Sequence, residues 1–411
     1  MVVDSCCSSS GVPAPAAAAS KDAASRGGWK HTVVTELRRK CSPGSSSLNK
    51  AAAGDEPEAP PLPIPKRLDS TSSTASSATQ PLAPASRPRP PCRADFAWVR
   101  VIGAGSFGRV SLARHIESGR LVAIKTLNKV AIIRENQVQH VVDERAMLAR
   151  VAGYPFIINL LTSFQDTDNL YLVMDFVAGG EFFTHLRDHG RLQEEHARFY
   201  VAQVVLALEH LHSKGIAYRD LKPENLLIAS DGYARLTDLG FAKVVKGRTF
   251  TMCGTPDYLA PEVITGKGHT TAVDWWSLGC VIYEMLHGFP PFYTGNPQET
   301  YKKILARDLA FPAHMGPWAR DLINKLLNPD PALRLGGGVE GVQAVKDHDW
   351  FKNLEWNYIA AKAYMPPYTP PLKTPDDTSC FDKYDHLPPL ESAAGLTPMQ
   401  QDWFRSFSVP A

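Results

Sequence analysis

Apolar and polar residues alternate along Phe96-Ala-Trp-Val-Arg-Val-Ile102, and the run leads into Gly103-Ala-Gly-Ser-Phe-Gly108. A period of two predicts a strand with one buried face. Residues 110–113 and 121–127 continue as strands, with Glu117-Ser-Gly-Arg120 as the turn between them. Over 135–151 the period changes. Val138, Val141, Val142, Ala146 and Leu148 recur mostly at threes and fours, which predicts a helix. Residues 170–176 form an apolar strand, and beyond Gly179-Gly180 helical spacing dominates, over 194–213, 271–287, 296–307 and 317–327. The pattern therefore predicts an α+β chain: a strand-rich unit followed by a helix-rich one.

Residues 1–94 carry neither period. They are rich in Ala, Ser and Pro, and Trp29 is the only aromatic before Phe96. Such a segment cannot bury enough apolar surface to offset its ordering entropy, so it is expected to be a disordered low-complexity extension. Its Pro-rich end, 81–91, is expected to be stiff, and 33–40 has the makings of a short helix on binding. Proline-rich tracts also serve as ligands for aromatic-lined grooves, although solvated linker is the commoner role. After about residue 351 the pattern loosens again and ends in Trp403-Phe-Arg-Ser-Phe407.

Composition narrows the setting. In 411 residues Lys and Arg total 44 and Asp and Glu 42, so charge gives no case for a nucleic-acid partner or an anionic membrane surface. The seven cysteines are scattered and lack metal-ligand spacing, which suits a reducing compartment. The expected location is the cytoplasm, with the nucleus as a second site. No run of 18 apolar residues is present, so no transmembrane segment is expected, and residues 16–19 are too short and weakly apolar for a signal peptide. Val2 excludes N-myristoylation for a chain starting at Met1, and Cys6 and Cys7 are most simply free thiols.

Candidate chemistry begins at Gly103-x-Gly105-x-x-Gly108-x-Val110. Glycines let a backbone turn tightly and bring its N–H groups up to phosphate oxygens. Dinucleotide folds use the same spacing, but there a helix follows; here a second strand does. Next comes Val122-Ala-Ile-Lys125, a lysine inside an apolar strand, which is costly unless paired. Glu144, on the predicted helix, is the expected partner. Further on stand Tyr218-Arg-Asp-Leu-Lys-Pro-Glu-Asn225, Asp238-Leu-Gly240 and Ala260-Pro-Glu262. Single motifs match by chance; these occur in order, each on the expected element.

Together they resemble the protein kinases, with a bilobal fold: small lobe 95–178, large lobe 179–351 and a tail 352–411. The resemblance implies ATP and Mg²⁺. Ile102, Gly103, Ala104, Gly105, Ser106, Phe107, Gly108, Arg109 and Val110 would cover the nucleotide, with Ala123, Lys125, Met174, Asp175 and Val177. Lys125, held by Glu144, would grip the α- and β-phosphates. Asp220 would orient and deprotonate the incoming hydroxyl, Lys222 would neutralise the transferred phosphate, and Asn225 and Asp238 would hold the metal. Leu239 departs from the usual Phe. It is expected in a stack with Leu148, Leu160 and Tyr218 above Asp274, at a cost of about 1 kcal/mol or less. Arg334 lies where a kinase large lobe pairs Glu262.

Residues 95–411 are most similar to the catalytic subunits of the cyclic-AMP-dependent kinases, within the AGC group. The likeness rests on Tyr171-Leu-Val-Met-Asp-Phe-Val-Ala-Gly-Gly-Glu181, Gly240-Phe-Ala-Lys243, Thr251-Met-Cys-Gly-Thr-Pro256, Phe381-Asp-Lys-Tyr384, which resembles a tail segment crossing the adenine pocket, and Phe404-x-x-Phe407, which resembles a terminal motif docked on the small lobe. Lys267-Gly-His269 and Ser277-Leu-Gly279 lean toward the cyclic-GMP-dependent relatives. The resemblance implies protein substrates with Arg three and two residues before Ser or Thr, read by Glu181, Glu224 and Glu284. An apolar pocket of Met252, Pro256 and Leu259 would follow. No cyclic-nucleotide-binding domain precedes the kinase, so such control implies a separate regulatory chain. Thr251 is the expected activating phosphorylation site, facing His140, Arg219 and Lys243, and Ser408 a second one. A pseudokinase scaffold is the alternative of another class, but Lys125, Asp220, Asn225 and Asp238 are all present.

Overall fold

The computed structural model describes residues 89–408 except 385, 389, 391, 393 and 394. The N-terminal extension, with its expected helix over 33–40, lies outside the described residues. Five strands build the small lobe: β1 (Phe96–Gly105), β2 (Gly108–His115), β3 (Leu121–Asn128), β4 (Leu160–Gln165) and β5 (Asn169–Asp175). They form one antiparallel sheet in the order β1-β2-β3-β5-β4. Both faces are covered. Phe96, Val122, Ile124, Phe164 and Tyr171 pack on one side, and Leu127, Leu170 and Leu172 belong to the main core on the other. This is why β3 and β5 are apolar runs and not alternating ones. At the β1–β2 turn glycine is obligatory at position 108, because a Cβ there would lie 1.8 Å from the Thr126 carbonyl oxygen.

The helix expected over 135–151 is α2 (Val138–Val151), and a short α1 (Lys129–Arg134) that sequence reasoning missed precedes it. Asn128 caps α1, its side-chain oxygen accepting from Ala131 N–H at 3.0 Å. The break falls at Asn136, whose φ is +53°. Strand β4, which carries no clear period, is an addition that sequence reasoning missed.

The large lobe comprises α3 (Phe182–His189), α4 (Glu194–Ser213), the short strands β6 (Ile216–Ala217), β7 (Leu226–Ile228), β8 (Ala234–Leu236) and β9 (Lys243–Val244), then α5 (Pro261–Ile264), α6 (Ala272–His287), α7 (Pro297–Ala306), α8 (Pro317–Leu326), α9 (Val342–Lys346) and α10 (Trp356–Ala360). Every residue of α6 but His287 is buried, which makes it the central post of the lobe. Gly288, in the left-handed region at φ +95°, ends it. Helix α7 opens on Asn296, whose side chain accepts from the N–H groups of Gln298 and Glu299, with Pro297 at the first position.

The tail returns to the small lobe. Helix α11 (Pro398–Asp402) leads to Phe404 and Phe407, both fully buried in the main core. Gln165 donates to the Phe404 carbonyl and Ser163 to that of Phe407, each at 2.8 Å.

Candidate active site

A cleft of about 920 Å³ opens between the lobes. Its roof comes from the period of the sheet. Register pairs Val110 with Lys125 and Ala123 with Met174, so these four side chains share one face above the space. Ile102, Gly103, Ala104, Asp175 and Val177 also line it, as expected. A Cβ on Gly103 would meet nothing closer than Val110 at 3.5 Å, so packing does not demand glycine there. Its missing side chain serves instead to keep the cleft open where a ligand backbone would approach.

Gly105 to Gly108 form the hairpin end and not the cleft wall, and Phe107 packs toward the core. Arg109 is placed differently from expectation. One position from Val110 on a strand, it projects from the other face, where it lines a separate cavity with Arg93 and Trp98. Asp175 presents its backbone to the cleft, while its carboxylate is held by Arg120 and Arg235, each at 2.7 Å. Sequence reasoning missed Ile158, Phe176, Leu227 and Thr237 in the lining. Phe381 arrives from the tail segment that the resemblance assigned to the adenine pocket, and it stacks on Phe176 with centroids 5.9 Å apart. Arg100 anchors that stretch through Thr378 at 3.1 Å and the Asp382 carbonyl at 2.7 Å.

Lys125 and Glu144 form an ion pair, both nearly buried. Burial works against the ammonium, yet Glu144 and then Asp238 outweigh it and hold the Lys125 pKa above its usual value. The carboxyl of Glu144 is pushed up by burial, against the pull of Lys125. The pair ties β3 to α2.

Beneath the cleft Asp220 sits in a closed polar net. Its Oδ2 accepts from Lys222 at 2.8 Å and Asn225 at 2.9 Å, and its Oδ1 from Thr255 at 2.9 Å. Lys222 also donates to Thr255 at 2.8 Å. Burial pushes the Asp220 carboxyl upward, with Lys222 opposing. Thr255 is a member that sequence reasoning left out. The loop is aimed by Asp274, fully buried on α6, which accepts from Tyr218 N–H at 2.9 Å and Arg219 N–H at 2.7 Å. His212 contacts the same carboxylate at 2.7 Å. Leu239, Leu148 and Tyr218 are fully buried in the main core, and the partly buried Leu160 packs against that core.

Asp238 lines the cleft at φ +58°, its Oδ1 accepting from Gly240 N–H at 3.2 Å. Asn225 spends its amide N–H₂ on the Asp220 carbonyl and carboxylate, which turns its own oxygen the other way. An oxygen-only pair of this kind suits a hard divalent cation. Glu262 and Arg334 form a bidentate pair at 2.7 and 2.9 Å, fully enclosed.

The three carboxylates expected to face substrate differ in exposure. Glu181 is half-buried on the cleft rim, and Glu224 and Glu284 are buried. Glu284 accepts from Arg187 at 2.6 Å and from Tyr258, so this chain's own guanidinium already shares it. Leu259 is buried, Pro256 half-buried and Met252 exposed. Thr251 is exposed. Arg219 donates through Nε to the Phe241 carbonyl at 2.8 Å, and Lys243 to Thr249 at 3.1 Å. His140 is exposed on α2 with Nδ1 against Gln137, and Ser408 is exposed beside the buried Phe407.

The model of the protein kinase domain matches residues 96–351. The chain belongs to the protein kinase family. Among curated relatives it is similar to the cAMP-dependent protein kinase catalytic subunit 3 of Drosophila melanogaster, 48% identical over 71% of this chain and 50% of that one. The cAMP-dependent protein kinase type 3 of Saccharomyces cerevisiae is 48% identical over 71% and 73%. The catalytic subunit PRKX of Homo sapiens is 44% identical over 78% and 89%. The chain thus spans half the length of the fly relative. The kinase domain is of the serine/threonine type, in the AGC group, and its small-lobe sheet and helical large lobe are those of the bilobal fold.

Proposed function

We propose that this chain transfers the γ-phosphate of ATP to Ser or Thr in proteins that carry Arg three and two residues before the site. The observation that carries this reading is the Asp220 net: a buried carboxylate held by Lys222, Asn225 and Thr255 beside an apolar cleft roofed by Lys125. Asp220 orients the hydroxyl and takes its proton, and its raised proton affinity makes it the better base. Lys222 stands beside it to neutralise the moving phosphoryl group, and the Glu144-held Lys125 positions the other phosphates. Asp238 and Asn225 would hold Mg²⁺, which when bound offsets phosphate charge. Glu181, Glu224 and Glu284 supply acidic partners for substrate guanidinium groups, Glu284 as part of a network with Arg187. The neighbouring apolar surface of Met252, Pro256 and Leu259 favours an apolar residue after the site.

Regulation is read in the same terms. Phosphorylation of Thr251 brings negative charge beside Arg219 and Lys243, and Arg248, three residues before it, matches the chain's own preference. Arg405 has the same relation to Ser408. Similarity to cyclic-AMP-dependent catalytic subunits supports a separate cyclic-nucleotide-binding regulatory chain, and a cytoplasmic, in part nuclear, location is proposed with it. ATP turnover by the full chain on a peptide with Arg at both positions tests the proposal. Asp220→Asn and Asp238→Ala are expected to abolish transfer with an unchanged melting temperature. Equal turnover on acidic-flanked or Pro-directed peptides would overturn the specificity.

A further inference from the structure

Behind the activation segment lies a set of buried polar groups that phosphoryl transfer does not use. His269 pairs with Thr249 backbone to backbone, Thr249 N–H donating at 2.9 Å and His269 N–H at 2.8 Å. The bridge fixes the segment to the large lobe two residues before Thr251. The His269 ring is enclosed, at 3% exposure, and its Nε2 has no hydrogen-bond partner among the described residues. Arg219 repeats the pattern: its Nε is bonded, but its buried Nη1 has no partner either. Buried polar groups are nearly always paired, so two orphans whose charges act on one another mark a missing partner. The charged groups around His269 are Arg219, Lys243, Glu262 and Asp274. Burial first, then Arg219, holds its pKa down to about 4, so the ring is neutral and able to donate one N–H. A guanidinium and an imidazole each with an unpartnered nitrogen, near the ammonium that Thr249 holds, make a set that an anion would complete.

We propose that His269 is a phosphate-positioning residue, whose Nε2 joins Arg219 Nη1 and Lys243 Nζ in receiving the phosphate of phosphorylated Thr251. The proposal rests on the reading of Thr251 as the modified residue. It gives the phosphate site an inner wall on the large lobe, between the bridge to Thr249 and the loop held by Asp274. In His269 that wall has a donor from the segment just before α6, which neither the catalytic loop nor α2 supplies. A phosphate seated there is bonded to the same strand pair that orders the activation segment.

The test uses the full chain with phosphothreonine genetically encoded at position 251, so that its presence does not depend on catalysis. Removal of the phosphate by a broad-specificity phosphatase is timed for the parent, His269→Phe and His269→Gln. Loss of one charge-assisted bond predicts release about tenfold faster in the Phe variant, with Gln, which keeps a donor, restoring most of the protection. Equal release rates in all three would overturn the proposal, whatever phosphorylation does to activity. If the Phe variant does not fold, the parent decides. With ¹³C-labelled histidine, the His269 ring signal, assigned by its loss in His269→Gln, is expected to move between Thr251 and phosphothreonine forms. An unmoved signal would equally overturn it. A separate failure, phosphorylation without any gain in kcat/KM, would count against Thr251 as the activating site and leave His269 in place.

Discussion

Two buried ion pairs, one in each lobe, are built from the same chemistry and do opposite work. Arg334 and Glu262 meet through two parallel bonds. The guanidinium is further fixed by the Ala272 carbonyl at 2.9 Å and the Asn328 carbonyl at 3.0 Å, with its carbon 5.3 Å from the Trp276 ring centre. Four of the five guanidinium N–H donors are committed, and the pair lies outside the nucleotide cleft. Lys125 and Glu144 meet through a single contact, on a wall of the nucleotide cleft, with Asp238 near enough to bias both. The first pair is a staple that closes the activation segment; the second is a contact whose strength depends on where α2 sits. Position on the cleft wall, rather than burial, separates the two.

Breaking the staple should cost most. Arg334→Ala strands a buried carboxylate and is expected to destabilise the fold by about 3–5 kcal/mol, seen as a large fall in melting temperature. A loss below about 1 kcal/mol would mean that the enclosure is not tight. Lys125→Met should show the opposite balance. Transition-state stabilisation by one positioned donor is worth about 10²–10³ in kcat, whereas the stability loss is expected to be the smaller one, because burial already pushes the Glu144 carboxyl toward its neutral form and it takes up a proton once Lys125 is gone. A melting-temperature loss matching that of Arg334→Ala would erase the distinction. Deleting residues 403–411 removes Phe404 and Phe407, which pack in the small lobe and support α2 from behind. About 3 kcal/mol of burial is lost before ordering entropy is recovered, so activity and melting temperature should fall together. Full activity in the truncated form would uncouple the tail from the Lys125–Glu144 pair. The smallest effect is expected for Phe381→Ala, which removes one face of the adenine-side wall: KM for ATP rises by about threefold to tenfold with kcat held. An unchanged KM would mean that the tail merely covers the cleft.

Much of the site was legible before the fold was known, because its parts are local. Asp220, Lys222 and Asn225 share one turn, and Asp238 and Gly240 another, so motif spacing alone places them. The Lys125–Glu144 pairing was legible for a different reason. A lysine in an apolar strand needs a partner, and the next helix offers one. What was illegible joins distant segments. Thr255 enters the Asp220 net from the activation segment, and Arg187 takes a carboxylate from α6. Arg109 was misplaced because a one-residue step on a strand changes the face, and only the register with β3 decides which face is the roof.

Periodicity and local motifs thus determined the strand-rich and helix-rich halves and the catalytic and metal-holding residues within each loop, since strand and helix periods and turn chemistry act over a few residues. The break between α1 and α2, the strand β4 and the unpartnered groups of His269 and Arg219 were decided by tertiary structure. These depend on which buried polar groups find a partner across the chain, and that follows only from packing.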